Sequence, residues 1–156
     1  MRPRLGMLLF LTLLVSVGVL AQNDPLIGTW KLNLAKSQYS PGPPVRTETL
    51  TFAPFGGGGV KVTVDQVDAQ GKRILTEYSA NFDAKDYPVT GAPDGDAVLL
   101  KRIDANTTER IYKKAGKVTT VVRRVVSKDG KTLTNTATGT NAQGQQVHNV
   151  TVFDKQ

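Results

Sequence analysis

Catalysis needs nucleophiles, acid–base pairs or metal ligands brought together, and this chain is poor in all three. It has no cysteine and a single histidine, His148. That excludes thiolate catalysis, Cys-bound zinc and any multi-histidine metal site. His148 stands between Val147 and Asn149 without a nucleophile or an orienting partner, and reads as an ordinary strand residue. There is no Gly-x-Ser-x-Gly elbow. The glycine run Gly56 to Gly59 leads into the strand-like Val60-Lys61-Val62, whereas a phosphate loop leads through Lys and Ser/Thr into a helix, so the run reads as a hairpin. Asp83, Asp86, Asp94 and Asp96 match no calcium-loop spacing and read as solvated turn acids. Glu48, Glu77 and Glu109 sit on separate strand-like runs, where an inward-facing pair would suit glycoside chemistry. The expectation is a non-catalytic protein with no cofactor and no bound metal.

What the chain does supply is side chains for a pocket. Leu50, Phe52, Val62, Val64, Ile74, Tyr78 and Phe82 are candidates for an apolar interior wall, with Val150 and Val152 joining them. Tyr78, Tyr112, Arg110 and Arg124 are candidates for the few placed polar groups that such pockets use.

The elements that must position these residues are strands. From Ile27 onward, short runs rich in Thr and Val alternate with turn signals. Val60, Val62 and Val64 alternate with Lys61, Thr63 and Asp65, which puts one face in and one face out. Ile74, Tyr78, Ala80 and Phe82 share a face in the same way. Hairpin joints are expected at Asp104-Ala105-Asn106, Ala115-Gly116, Asp129-Gly130 and Asn141-Ala142-Gln143-Gly144, whose residues tolerate positive φ. The stretch Pro41-Gly42-Pro43-Pro44 is a loop crossing one end, and Asp83 to Asp96 is a long loop, open to a short edge strand, at the rim of a pocket mouth. Nine runs without an amphipathic helix predict an all-β, antiparallel up-and-down barrel of about eight or nine strands. A barrel of that size encloses side chains or one small ligand.

An export signal is expected over residues 1–21, with Arg2 and Arg4 before the apolar stretch Leu5 to Leu20 and a cleavage site after Ala21. The apolar stretch is short for a membrane span. Residues 22–156 then form one domain, secreted or periplasmic, monomeric, and not integral to a membrane. Losing Arg2 and Arg4 takes the formal charge from +7 to +5. The basic residues are scattered among acids, as on a solvated outer face, so no nucleic-acid partner is expected.

At Gly28-Thr29-Trp30 the chain resembles the lipocalins and the related fatty-acid-binding proteins, which carry Gly-x-Trp on the first strand. The closing Asn149 to Gln156 is similar to the last strand of the fatty-acid-binding proteins, and the mature chain resembles small exported bacterial lipocalin-like proteins. The resemblance implies that Gly28 and Trp30 form the base of the barrel, with Trp30 under a late-strand arginine, here Arg123 or Arg124. Two departures limit it. The Arg-x-Tyr carboxylate anchor of the fatty-acid-binding proteins falls on Thr151 and Phe153, and the segment Ser37 to Pro44 is too short for their helical lid. Two functions are open to such a chain: a barrel binding a small apolar or amphipathic ligand, or a solid barrel contacting an envelope partner or an anionic surface.

Overall fold

The computed structural model describes residues 24–156; the expected export signal over 1–21 lies outside them. Among the described residues ten strands form one antiparallel sheet. They are β1 (Gly28–Leu32), β2 (Thr47–Phe55), β3 (Gly59–Val67), β4 (Arg73–Ala80), β5 (Asp86–Pro88), β6 (Ala97–Arg102), β7 (Thr107–Lys114), β8 (Lys117–Val126), β9 (Thr132–Thr140) and β10 (Gln146–Lys155). The short β5 lies inside the expected rim loop and accounts for the tenth strand. One 3-10 turn, Leu34–Lys36, stands where a helical lid would start.

Except at β4 and β5, consecutive strands pair, and β1 also pairs with β10, Trp30 opposite Lys155. The seam lies between β4 and β5. There Glu77 and Thr90 exchange two backbone hydrogen bonds of 3.0 Å, a single isolated bridge. Gly91 makes this approach possible: its φ is +78°, and a Cβ would lie 1.9 Å from the Leu75 carbonyl oxygen. The barrel is therefore nearly closed rather than fully laddered.

Alternation decides what fills the interior. Trp30, Phe52, Phe153, Leu133, Leu100, Val98, Val60 and Val62 have almost no exposure and pack together towards one end. Burying each of the larger ones stabilises the fold by roughly 1.5–3 kcal/mol. Leu26 plugs this end, and its carbonyl accepts the Trp30 indole N–H at 2.9 Å. Gly28 earns its place in the Gly-x-Trp motif through backbone geometry, with φ +133° and an added Cβ 2.9 Å from the Lys155 Cε.

Two expectations about facing need correction. The base that stacks over Trp30 is Lys155, whose Nζ is 4.9 Å from the ring centroid; Arg123 is exposed on the outer face, and Arg124 lies over Phe52 at 5.2 Å. On β10, Phe153 points into the core opposite Leu133, so period two turns Val150 and Val152 outward. The chain after the 3-10 turn covers that face: Gln38 pairs with Val150, and the Val152 amide donates to Ser37 Oγ at 3.0 Å.

Candidate functional site

The other half of the barrel is hollow. A cavity of about 650 Å³ opens between the 41–45 segment, the β3–β4 turn at 68–70, the loop at 92–94 and the β9–β10 turn at 141–145. Of the long loop Asp83 to Asp96, only its last part borders this mouth. The interior is therefore not solid from end to end.

Leu50, Val64, Ile74, Arg110, Tyr112 and Arg124 line the cavity. Phe52, Val62, Tyr78 and Phe82 do not. Phe52 and Val62 belong to the packed end, Tyr78 lies beneath Arg124, and Phe82 packs against the core under the guanidinium of Arg102, 4.2 Å from its centroid. The cavity also receives residues that the sequence reading did not place there: Tyr39, Gln66, Thr76, Asp94, Thr120, Asn135, Asn149 and Thr151. Period two was the available signal for several, since Gln66 follows inward Val64, Asn135 follows Leu133, and Asn149 and Thr151 precede Phe153 on the same face.

Two arginines dominate the polar wall. Arg110 comes from β7 and rests 3.8 Å above the Tyr112 ring; Arg124 comes from β8 and its Nη1 donates to Tyr78 Oη at 3.5 Å. Tyr78 and Tyr112 meet edge to face, centroids 6.2 Å apart, as a floor beneath both guanidiniums. Arg124 is only 2% exposed. A buried guanidinium normally has its N–H groups bonded or ion-paired. Among the described residues, Arg110 Nε and Arg124 Nε have no hydrogen-bond partner, and neither do Tyr39 Oη and Asn135 Oδ1, all on cavity-lining residues. Thr108 Oγ1, two residues before Arg110 on β7, is a fifth such atom.

Of the three glutamates, Glu48 faces the cavity, Glu77 is exposed beside Thr63, and Glu109 pairs with Lys101. No second glutamate joins Glu48 in the cavity; its acidic neighbours there are Asp94 and Asp68. Burial pushes the Glu48 carboxyl up to about 7, with Arg110 and Arg124 pulling in the opposite direction. Burial likewise raises the Tyr39 phenol, with the Glu48 charge adding to it, and burial raises Tyr112. The four aspartates of the rim loop are dispersed: Asp83 accepts from Tyr87, Asp86 pairs with Lys113, Asp96 accepts the Ala115 amide, and Asp94 faces the cavity near Thr120. Among the described residues no cluster of three or more potential ligands stands ready for a metal ion. None of their helices is long and apolar enough to cross a membrane. His148 sits exposed on β10, its amide bonded to the Ser40 carbonyl.

No family model matches the sequence, and no curated protein matches it. Solved structures are similar to it. The fluorescent protein UnaG superposes with a TM-score of 0.54 at 15% identity, covering 85% of this chain and 98% of its own. The zebrafish ileal bile-acid-binding protein, complexed with cholic acid, gives 0.46 at 11% identity over 85% and 99%. What the chain shares with UnaG is the fold, a nearly closed antiparallel β-barrel.

Proposed function

We propose that this chain is an exported barrel that holds one small amphipathic molecule without transforming it. The observation that carries the reading is the pairing of Arg110 and Arg124 in a cavity of about 650 Å³, with the Nε of each lacking a partner. That volume suits a single small ligand. Leu50, Val64, Ile74 and Val122 would take its apolar body. The guanidiniums would take an acidic or strongly hydrogen-bonding end, for which arginine is suited by its fixed array of donors. Export rests on Arg2, Arg4 and the apolar stretch that follows them.

Native mass spectrometry of the protein purified from its exported compartment tests this directly. The expected result is a mass starting at Gln22 with a small molecule that is released on denaturation. A cytoplasmic, full-length chain would refute export. A protein that neither carries a ligand nor takes up any apolar or amphipathic probe would refute the binding reading.

A further inference from the structure

Resting on that reading, we propose that Glu48 couples ligand binding to proton uptake: an anionic group enters the cavity together with one proton, which Glu48 accepts from solvent and then donates as a hydrogen bond to the anion. Glu48 projects inward from β2 into the same cavity as Arg110 and Arg124, yet among the described residues no ion pair joins it to either. The space between the acid and the two bases is where a ligand's anion would sit. An anion placed there takes over the attraction of the guanidiniums and sets a like charge beside Glu48. Both effects favour the neutral carboxyl, which is also the form able to donate.

Other titratable groups approach this space from neighbouring elements. Tyr39 reaches over from the segment before β2, Tyr78 from β4 and Tyr112 from β7; Tyr39 and Tyr112 are held above the ordinary phenol range by burial. On β3 its paired neighbour is the neutral Gln66. Asp94 lies at the mouth within reach of the Thr120 hydroxyl, 3.4 Å away. Asp68, also at the mouth, is engaged by the amides of Gln70 and Lys72 in its own turn. Glu48 already sits near its midpoint at neutral pH, since burial holds it at about 7. Binding would therefore switch its state within an accessible range.

The test uses two probes of similar ring skeleton, anilinonaphthalene sulfonate, whose sulfonate stays charged throughout, and uncharged phenylnaphthylamine. For the unmodified protein, sulfonate affinity should fall about tenfold from pH 6 to pH 8, and the neutral probe should show no such fall. Calorimetry of sulfonate binding at pH 8, in buffers of differing ionisation enthalpy, should count about one proton taken up. Glu48→Gln should bind the sulfonate equally at both values. Should the unmodified protein bind the sulfonate with no pH dependence and no proton uptake, the coupling is wrong while the pocket reading stands. A pH dependence that survives in a folded Glu48→Gln assigns the proton elsewhere and also overturns it. If neither probe binds at any pH, the pocket reading fails and the coupling with it.

Discussion

The two ends of this barrel are built from the same strands and do opposite things. At the packed end, inward positions of β2, β3, β9 and β10 carry Phe52, Val62, Leu133 and Phe153. A few residues further along the same strands, the inward positions carry Glu48, Gln66, Asn135 and Asn149. The period does not change; only polarity does. Apolar side chains of complementary shape close on one another and exclude water, whereas polar ones of mixed length leave space and unpaired atoms behind. Close packing and the polar cavity are segregated along the barrel axis, so substitutions at the two ends should have different signatures.

The largest effect is expected where packing is tightest. Trp30→Ala removes a ring with no exposure and its hydrogen bond to the Leu26 carbonyl. Unfolding in denaturant should show a loss of about 3–5 kcal/mol. A loss below about half a kcal/mol would be out of reach for a buried large side chain and would undo the packed-end half of the comparison.

At the hollow end the next effect is a pH dependence of stability. Glu48 titrates near 7 in the folded chain, against an ordinary value of 4.5. Between these values the folded protein binds more protons than the unfolded one, so stability falls as pH rises from about 4.5 through 7. Discounted for water in the cavity, the loss is about 1–3 kcal/mol. Glu48→Gln should abolish this slope and be the more stable protein at pH 8, as thermal melting across pH would record. The acid side should be untouched by the substitution. There Asp65, Asp104 and Asp129 are held below the usual carboxylate range, Asp65 by the Arg73 guanidinium, Asp104 by the Asn106 amide and Asp129 by the Ser127 hydroxyl, so they lose their stabilising bonds as pH falls. A slope of the same size in Glu48→Gln would move the buried charge elsewhere.

This division also marks what was legible in the sequence. Apolar alternation in β3 and β4 fixed their facing, and the turn residues marked the hairpins, because both signals are local. Gly28-Thr29-Trp30 pointed to the barrel base only through the resemblance that the motif carries. Facing on β10 was not legible, since Val150 and Val152 look inward by composition and are covered only because the chain from Ser37 to Ser40 returns over them. The polar lining was harder still. Glu48, Gln66 and Asn135 are residue types that usually face water, and their inward direction follows only once an apolar neighbour two residues away has set the register. Lys155 over Trp30 depends on the closure of β1 on β10, a contact across almost the whole chain.

Smaller effects sharpen the contrast. Arg124→Met keeps much of the stem that packs over Phe52 and deletes the charge. The anionic probe should bind about tenfold or more weakly, the scale of one lost charge-assisted contact, with the neutral probe unaffected. Stability should change by less than about 1 kcal/mol, because an unpaired buried charge is costly to keep and its loss offsets the lost stacking. Equal losses for both probes would mean that Arg124 shapes the cavity rather than recognises charge.

Lys155→Ala makes the mildest case, and its value lies in being mild. The ammonium is near solvent, 4.9 Å from the Trp30 centroid and 3.3 Å from the Pro25 carbonyl oxygen. A cation at an exposed site over an indole contributes about 0.5–1 kcal/mol. The same packed end that loses several kcal/mol without Trp30 should therefore lose only about a fifth of that without its cover, with no change for either probe at the far end. A change in probe affinity would show that the packed end communicates with the cavity, and the two halves would then have to be treated as one cooperative interior.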